Sequence, residues 1–186
     1  CLRSNLSYSP LAALELYVKL YNSKTKGGSF KDIWKDNSYW TPNPMKFPHG
    51  LKNIVKRGKK LGIRIGLWFN PSVQNDFSDW EKDAQAIVSL YRQYGIECFK
   101  IDGLQIPTKQ AEDNLRHLFD KVALETNHHV IFNLDATAGR RGGYHSMNEY
   151  GNIFLENRYT DWGNYYPYRT LRNLWQLSRY VPAEKM

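Results

Sequence analysis

Lys100 and Asp102 close the apolar run ECFKIDGLQI, residues Glu97 to Ile106. Residues i and i+2 of a strand point to one face, so the two charges stand side by side above Cys98. A core strand gains nothing from an unpaired charge. Either the two form a structural ion pair, or the strand ends in a reaction site where the ammonium keeps the carboxylate ionised. An ionised, exposed carboxylate suits attack on an anomeric carbon, and a neighbouring lysine can donate to a sugar hydroxyl.

Glycoside cleavage needs a second carboxyl across the bond. Asp135, Glu149, Glu156 and Asp161 are the candidates. Asp161 lies in ENRYTDWGN, a loop dense with donors and aromatics, although capping a helix or turn is also common work for aspartate. Trp40, Trp68 and Trp162 offer flat apolar faces on which sugar rings stack. Trp68, in mid-strand, fits a core as readily, whereas the loop positions of Trp40 and Trp162 favour binding. ATAGRRGGYH, Ala136 to His145, combines backbone-opening glycines with Arg140 and Arg141, which can donate to hydroxyls or to a carboxylate. The same composition also makes a plain surface loop. His128 and His129 fall in a helix-to-strand turn at the opposite end and read as structural.

These residues need strands and helices to hold them. GLKNIVKRGKKLG carries Leu51, Ile54, Val55 and Leu61 at helical spacing, with its lysines on the solvated side. The strand Ile63–Pro71 follows, then a helix over Ser78–Tyr94, the strand Cys98–Asp102 and a helix over Lys109–Thr126. Next come strands Val130–Asp135 and Asn152–Asn157, and a last helix over Tyr168–Tyr180. Alternation of this kind predicts an α/β fold with a parallel sheet under helices. Strand after strand ends in polar groups: Asn70, Asp102, Asp135, then Glu156, Asn157 and Asp161. Functional groups gathered at successive carboxyl ends mark a (β/α)8 TIM-barrel type, and no G-x-G-x-x-G or P-loop follows any strand. A full barrel takes ~250 residues, so 186 residues are expected to hold only part of one. The expected division is an irregular segment with a long substrate-side loop over 1–49, and βα units of a partial barrel over 50–186.

Composition sets further limits. A 41% hydrophobic, 15% aromatic chain is not disordered. The formal charge of +8 invites a nucleic-acid reading, but the cations are spread and the strand-end acids would repel phosphates. Two cysteines give no disulfide framework and no metal-ligand spacing. No apolar run approaches the roughly 18 residues of a membrane span. No cofactor, metal, nucleic acid or membrane partner is expected.

KFPHGLKNIVKRGKKLGIRIGLWFNP, then YGIECFKIDG, then ENRYTDW together resemble the catalytic barrel of retaining α-galactosidases of the melibiase type, the clan of glycoside hydrolase families 36 and 27. The resemblance covers roughly Trp40 to Trp175. It implies Asp102 as nucleophile, Lys100 as a substrate-binding lysine and Asp161 as acid/base. Arg158, three residues before Asp161, matches the R-x-x-D form and would contact the sugar. Trp68, Arg140, Arg141 and Trp162 complete the implied oligosaccharide or glycoside site. Asn70 stands where many relatives carry Glu, DATAGRRGG replaces the family 36 cysteine loop, and no D-D-G-W phrase occurs before Trp40. Beside hydrolysis, two readings stay open: a galactosyl transglycosylase of the raffinose-synthase type, and a truncated, inactive carbohydrate-binding fragment. A basic nucleic-acid-binding module is the outlying alternative.

Overall fold

A computed structural model describes residues 32–137, 142–155 and 167–186. Nine regular elements alternate along it: α1 (Lys52–Lys60), β1 (Gly66–Phe69), α2 (Trp80–Tyr94), β2 (Cys98–Ile101), α3 (Lys109–Glu125), β3 (Ile131–Asp135), α4 (Gly143–Tyr150), β4 (Gly151–Phe154) and α5 (Pro167–Leu177). The four strands form one parallel sheet in the order β1-β2-β3-β4. Each strand is added beside its predecessor, with no reversal of direction. Because parallel crossovers are right-handed, such winding sends the connecting helices to a single face. α2 and α3 accordingly lie side by side. This is how a barrel segment is wound, as distinct from a doubly wound sheet, whose strand order reverses at a switch point.

The sheet has two unlike faces. Leu67, Phe69, Phe99, Ile101, Phe132 and Leu134 are almost wholly buried, in one cluster with Ile87 and Val88 of α2 and Leu118, Phe119 and Val122 of α3. Burying each such side chain stabilises the fold by about 1.5–3 kcal/mol. The Phe119 and Phe132 rings meet at 4.9 Å between centroids. On the alternate face, register aligns Trp68, Lys100, Asn133 and Asn152 in one row, all half-buried.

Helix ends follow local chemistry. The Thr108 hydroxyl accepts the Ala111 N–H at 3.0 Å to start α3. Gly95, at φ +70, ends α2 in the left-handed conformation that glycine tolerates. Leu51, just before α1, and Val55 within it are buried and Lys52, Lys56, Arg57, Lys59 and Lys60 are exposed, as the amphipathic pattern requires.

The structure departs from the sequence reading in several places. Leu61 is 63% exposed and lies off the buried stripe of α1. α4 replaces what reads as loop, because Gly143 opens a helix where Ala136–His145 suggests irregular chain. A side chain there would come within 2.6 Å of the Asp135 carbonyl oxygen, so only glycine lets the helix start against the end of β3. Among the described residues no helix is long and apolar enough to cross a membrane.

Candidate active site

The chemistry collects where β2 and β3 end. Asp102 follows β2 directly, its N–H donating to the Phe69 carbonyl at 2.9 Å, so the ladder with β1 carries it to the last paired position. Its side chain then shares the face of Lys100 and Trp68. The Trp68 Nε1–H donates to Asp102 Oδ2 at 3.3 Å, and the Gly103 N–H donates to Oδ1 at 2.7 Å. Gly103 sits at φ +72, and a Cβ there would stand 2.5 Å from the Asn70 amide nitrogen. The Asp-Gly step therefore depends on glycine twice, for its backbone conformation and for room beside Asn70.

Asp135 ends β3 at the level of Phe154, on the same face. It is buried, its Oδ1 accepts the Thr137 N–H at 2.9 Å, and its carboxyl hydrogen-bonds that of Asp102. A hydrogen bond between two carboxyl groups needs one proton between them. Burial pushes the Asp102 carboxyl up. The Asp135 contact, the Gly103 N–H, the Trp68 indole N–H and the charge of Lys100 together outweigh burial and hold it below its ordinary value. The Asp102 carboxyl is thus held towards its charged form, with Asp135 as its neighbour across the strands. Lys100 extends over the Phe154 ring, with Nζ 4.2 Å from the centroid, a cation–π contact that steers the ammonium along the face.

Of the residues singled out from the sequence, the structure brings together Asp102, Lys100 and Trp68. Trp68 is half-buried, packs against the core cluster and bonds the carboxylate through its indole N–H, so it touches both core and site face. Asp161, Arg158, Trp162, Arg140 and Arg141 lie outside the described residues. Trp40, expected in a binding loop, is 6% exposed and stacks on Phe69 at 4.1 Å. Glu149 pairs with Arg116 at 3.0 Å on the exterior. Gly103 was missed as a site component, and Asp135 was named only as one of four candidate carboxyls. Gly103 is announced only by the Asp-Gly dipeptide, and the contact of Asp135 with Asp102 depends on strand register. Asn70, buried with its side-chain oxygen unpartnered, completes the floor beside Gly103. Among the described residues no group of three or more His, Cys, Asp and Glu is placed to hold a metal ion.

A separate carboxyl anchors the approach to the site. Asp83, buried in the first turn of α2, accepts the Trp34 Nε1–H at 3.0 Å and the Ser72 N–H at 2.9 Å. It ties the segment before α1 to the loop after β1. Burial lifts its pKa to about 7, against the downward pull of those two donors.

A parallel α/β sheet with carboxyl groups paired at adjacent strand ends defines the class of site. Comparison with known proteins narrows it. Over 96 residues, 44% of the chain, the sequence is 36% identical to the probable alpha-galactosidase C of Aspergillus terreus. The chain spans 11% of that relative's length. Two crystal structures of the GH36 alpha-galactosidase AgaA from Geobacillus stearothermophilus superpose on 68% of the chain. A variant in complex with raffinose gives a TM-score of 0.48 at 18% identity, covering 26% of that chain. The second structure gives 0.47 at 17% identity, covering 25%. No family model matches. The chain resembles the melibiase-type α-galactosidases over part of their catalytic domain.

Proposed function

We propose that the chain supplies part of the catalytic barrel of a retaining, α-galactosidase-like glycoside hydrolase that acts on terminal α-linked galactose of an oligosaccharide or glycoside. The observation that carries this reading is Asp102: ionised, pinned by Trp68 and Gly103, and set at a strand end within a chain similar to a probable α-galactosidase. In the first step an Asp102 oxygen forms a bond to the anomeric carbon while the glycosidic C–O bond breaks. The leaving oxygen takes a proton from Asp161, the acid/base that the sequence resemblance implies. In the second step Asp161 accepts a proton from water, whose oxygen attacks the anomeric carbon and releases Asp102. Two displacements return the original anomeric configuration. Lys100 and Trp68 line the face on which the sugar would sit, the first as a donor to hydroxyls and the second as an apolar plate.

The test uses an aryl α-galactoside. The protein is expected to release the phenol and to retain configuration, and Asp102→Asn to abolish turnover. In Asp102→Gly, added azide should restore phenol release and yield the β-configured glycosyl azide, because a small anion replaces the missing nucleophile. Turnover that survives Asp102→Asn removes the assignment. Adding a sugar acceptor and analysing products separates hydrolysis from transfer.

A further inference from the structure

A groove of about 610 Å3 lies between the 34–42 segment and one face of α2, within the ~300–1,000 Å3 usual for small-molecule sites. Trp34, Asn37 and Trp40 line it from the segment, and Gln85, Ser89 and Gln93, four residues apart, line it from the helix. None of the residues bonded to Asp102 takes part.

Its chemistry is selective. Trp34 is fixed by the bond from its Nε1–H to Asp83, so its half-exposed ring is a held plate and not a free rotor. Trp40 is clamped against Phe69 at 4.1 Å, and its buried Nε1 has no acceptor. The two lysines at the groove are engaged, Lys82 with Asp79 at 3.0 Å and Lys121 with Glu125 at 2.9 Å. An anionic ligand would have to displace a carboxylate to reach either of them. Beside these lysines and the Glu81 carboxylate, which disfavours anions further, the lining offers amide, hydroxyl and aromatic surface. Gln85 Nε2 donates to Ser89 Oγ at 3.4 Å, a long bond that leaves the amide oxygen and the hydroxyl proton for a ligand. The half-exposed Trp34 ring, flanked by the amides of Asn37, Gln85 and Gln93 and the Ser89 hydroxyl, complements a sugar ring, which has an apolar face and a hydroxyl edge.

We propose that this groove binds a neutral saccharide at a site distinct from the Asp102 centre. The inference rests on the lining alone and stands apart from the catalytic reading. The probes are cellobiose and methyl β-glucoside, neither of which carries galactose, titrated into the full chain while the indole Nε1–H resonances are followed by NMR. Saturable shifts of the Trp34 and Trp40 signals are expected, and Asp102→Asn should leave them unchanged. The double variant Gln85→Ala/Gln93→Ala lies on exposed helix surface that alanine favours. It should bind about tenfold more weakly, as the loss of two hydrogen bonds implies. Absence of a saturable shift with either sugar overturns the proposal, as does undiminished affinity in the double variant. Dextran sulfate moving these resonances where the neutral sugars do not would also overturn it, by assigning the groove to anions.

Discussion

The indole Nε1–H of Trp68 reaches across from β1 to Oδ2 of Asp102 at 3.3 Å, so one strand's aromatic ring orients the carboxylate of the next. Trp68→Phe keeps the ring and deletes the donor. A hydrogen bond to a charged group is worth about 1.5–3 kcal/mol, and partial exposure puts this one at the lower end. The Asp102 carboxyl should titrate at higher pH in the variant, as followed by carbon-13 NMR of a labelled side chain. An unmoved titration would deny Trp68 this role.

Asp135 is expected to matter through its contact with Asp102. Because the folded carboxyl of Asp102 is held below its ordinary value, its contribution to stability is complete above that value. The contribution is lost as pH falls through the lowered one. Asp135→Ala removes a contact that lowers the Asp102 pKa, so acid unfolding monitored by circular dichroism should begin at higher pH than in the parent. Asp135→Asn keeps an N–H for Asp102 and should lie closer to the parent. Coincident acid transitions in all three proteins would count against the pairing.

Asp83 runs the other way. Unfolded it titrates near 3.8, folded near 7, so between those values the folded chain retains a proton that the unfolded chain has lost. Stability from this group is therefore full below pH 3.8 and declines as pH rises towards 7. Asp83→Asn should abolish that slope in the difference between parent and variant urea midpoints. It should also cost about 1–3 kcal/mol, since an amide cannot accept both the Trp34 and the Ser72 N–H. A variant with the parent's pH dependence would show that Asp83 is not its source.

Gly103→Ala places a side chain at φ +72 and against Asn70. The strain is about 1–3 kcal/mol. Relief by rotation of the loop would withdraw the N–H from Asp102, so loss of turnover should exceed loss of stability. Equal turnover with a lowered Tm would mean that Gly103 serves the backbone alone.

Much of the scaffold was legible because burial writes itself into periodicity. Cys98–Asp102 and Val130–Asp135 alternate or run apolar, and the stripes of α2 and α3 recur every three or four residues. α4 was not legible: its segment GYHSMNEY has no apolar stripe, and only Gly143 in it is buried. Contact with β3 and β4 holds that helix in place. At the site, Lys100 and Asp102 could be read from strand parity, since that relation spans two residues. The contact between Asp102 and Asp135 spans a whole βα unit and depends on how the strands are staggered, which no local pattern records. Trp40 misled for a related reason, because a tryptophan in a Pro- and Asn-rich stretch gives no sign that a strand will fold against it.

The row Trp68, Lys100, Asn133, Asn152 draws one residue from each of four strands. Each is held by main-chain bonds that do not depend on its side chain. Mutation can therefore exchange one member at a time while the framework beneath persists. On the proposed reading, sugar preference on such a surface is free to drift by single codon changes without a new fold.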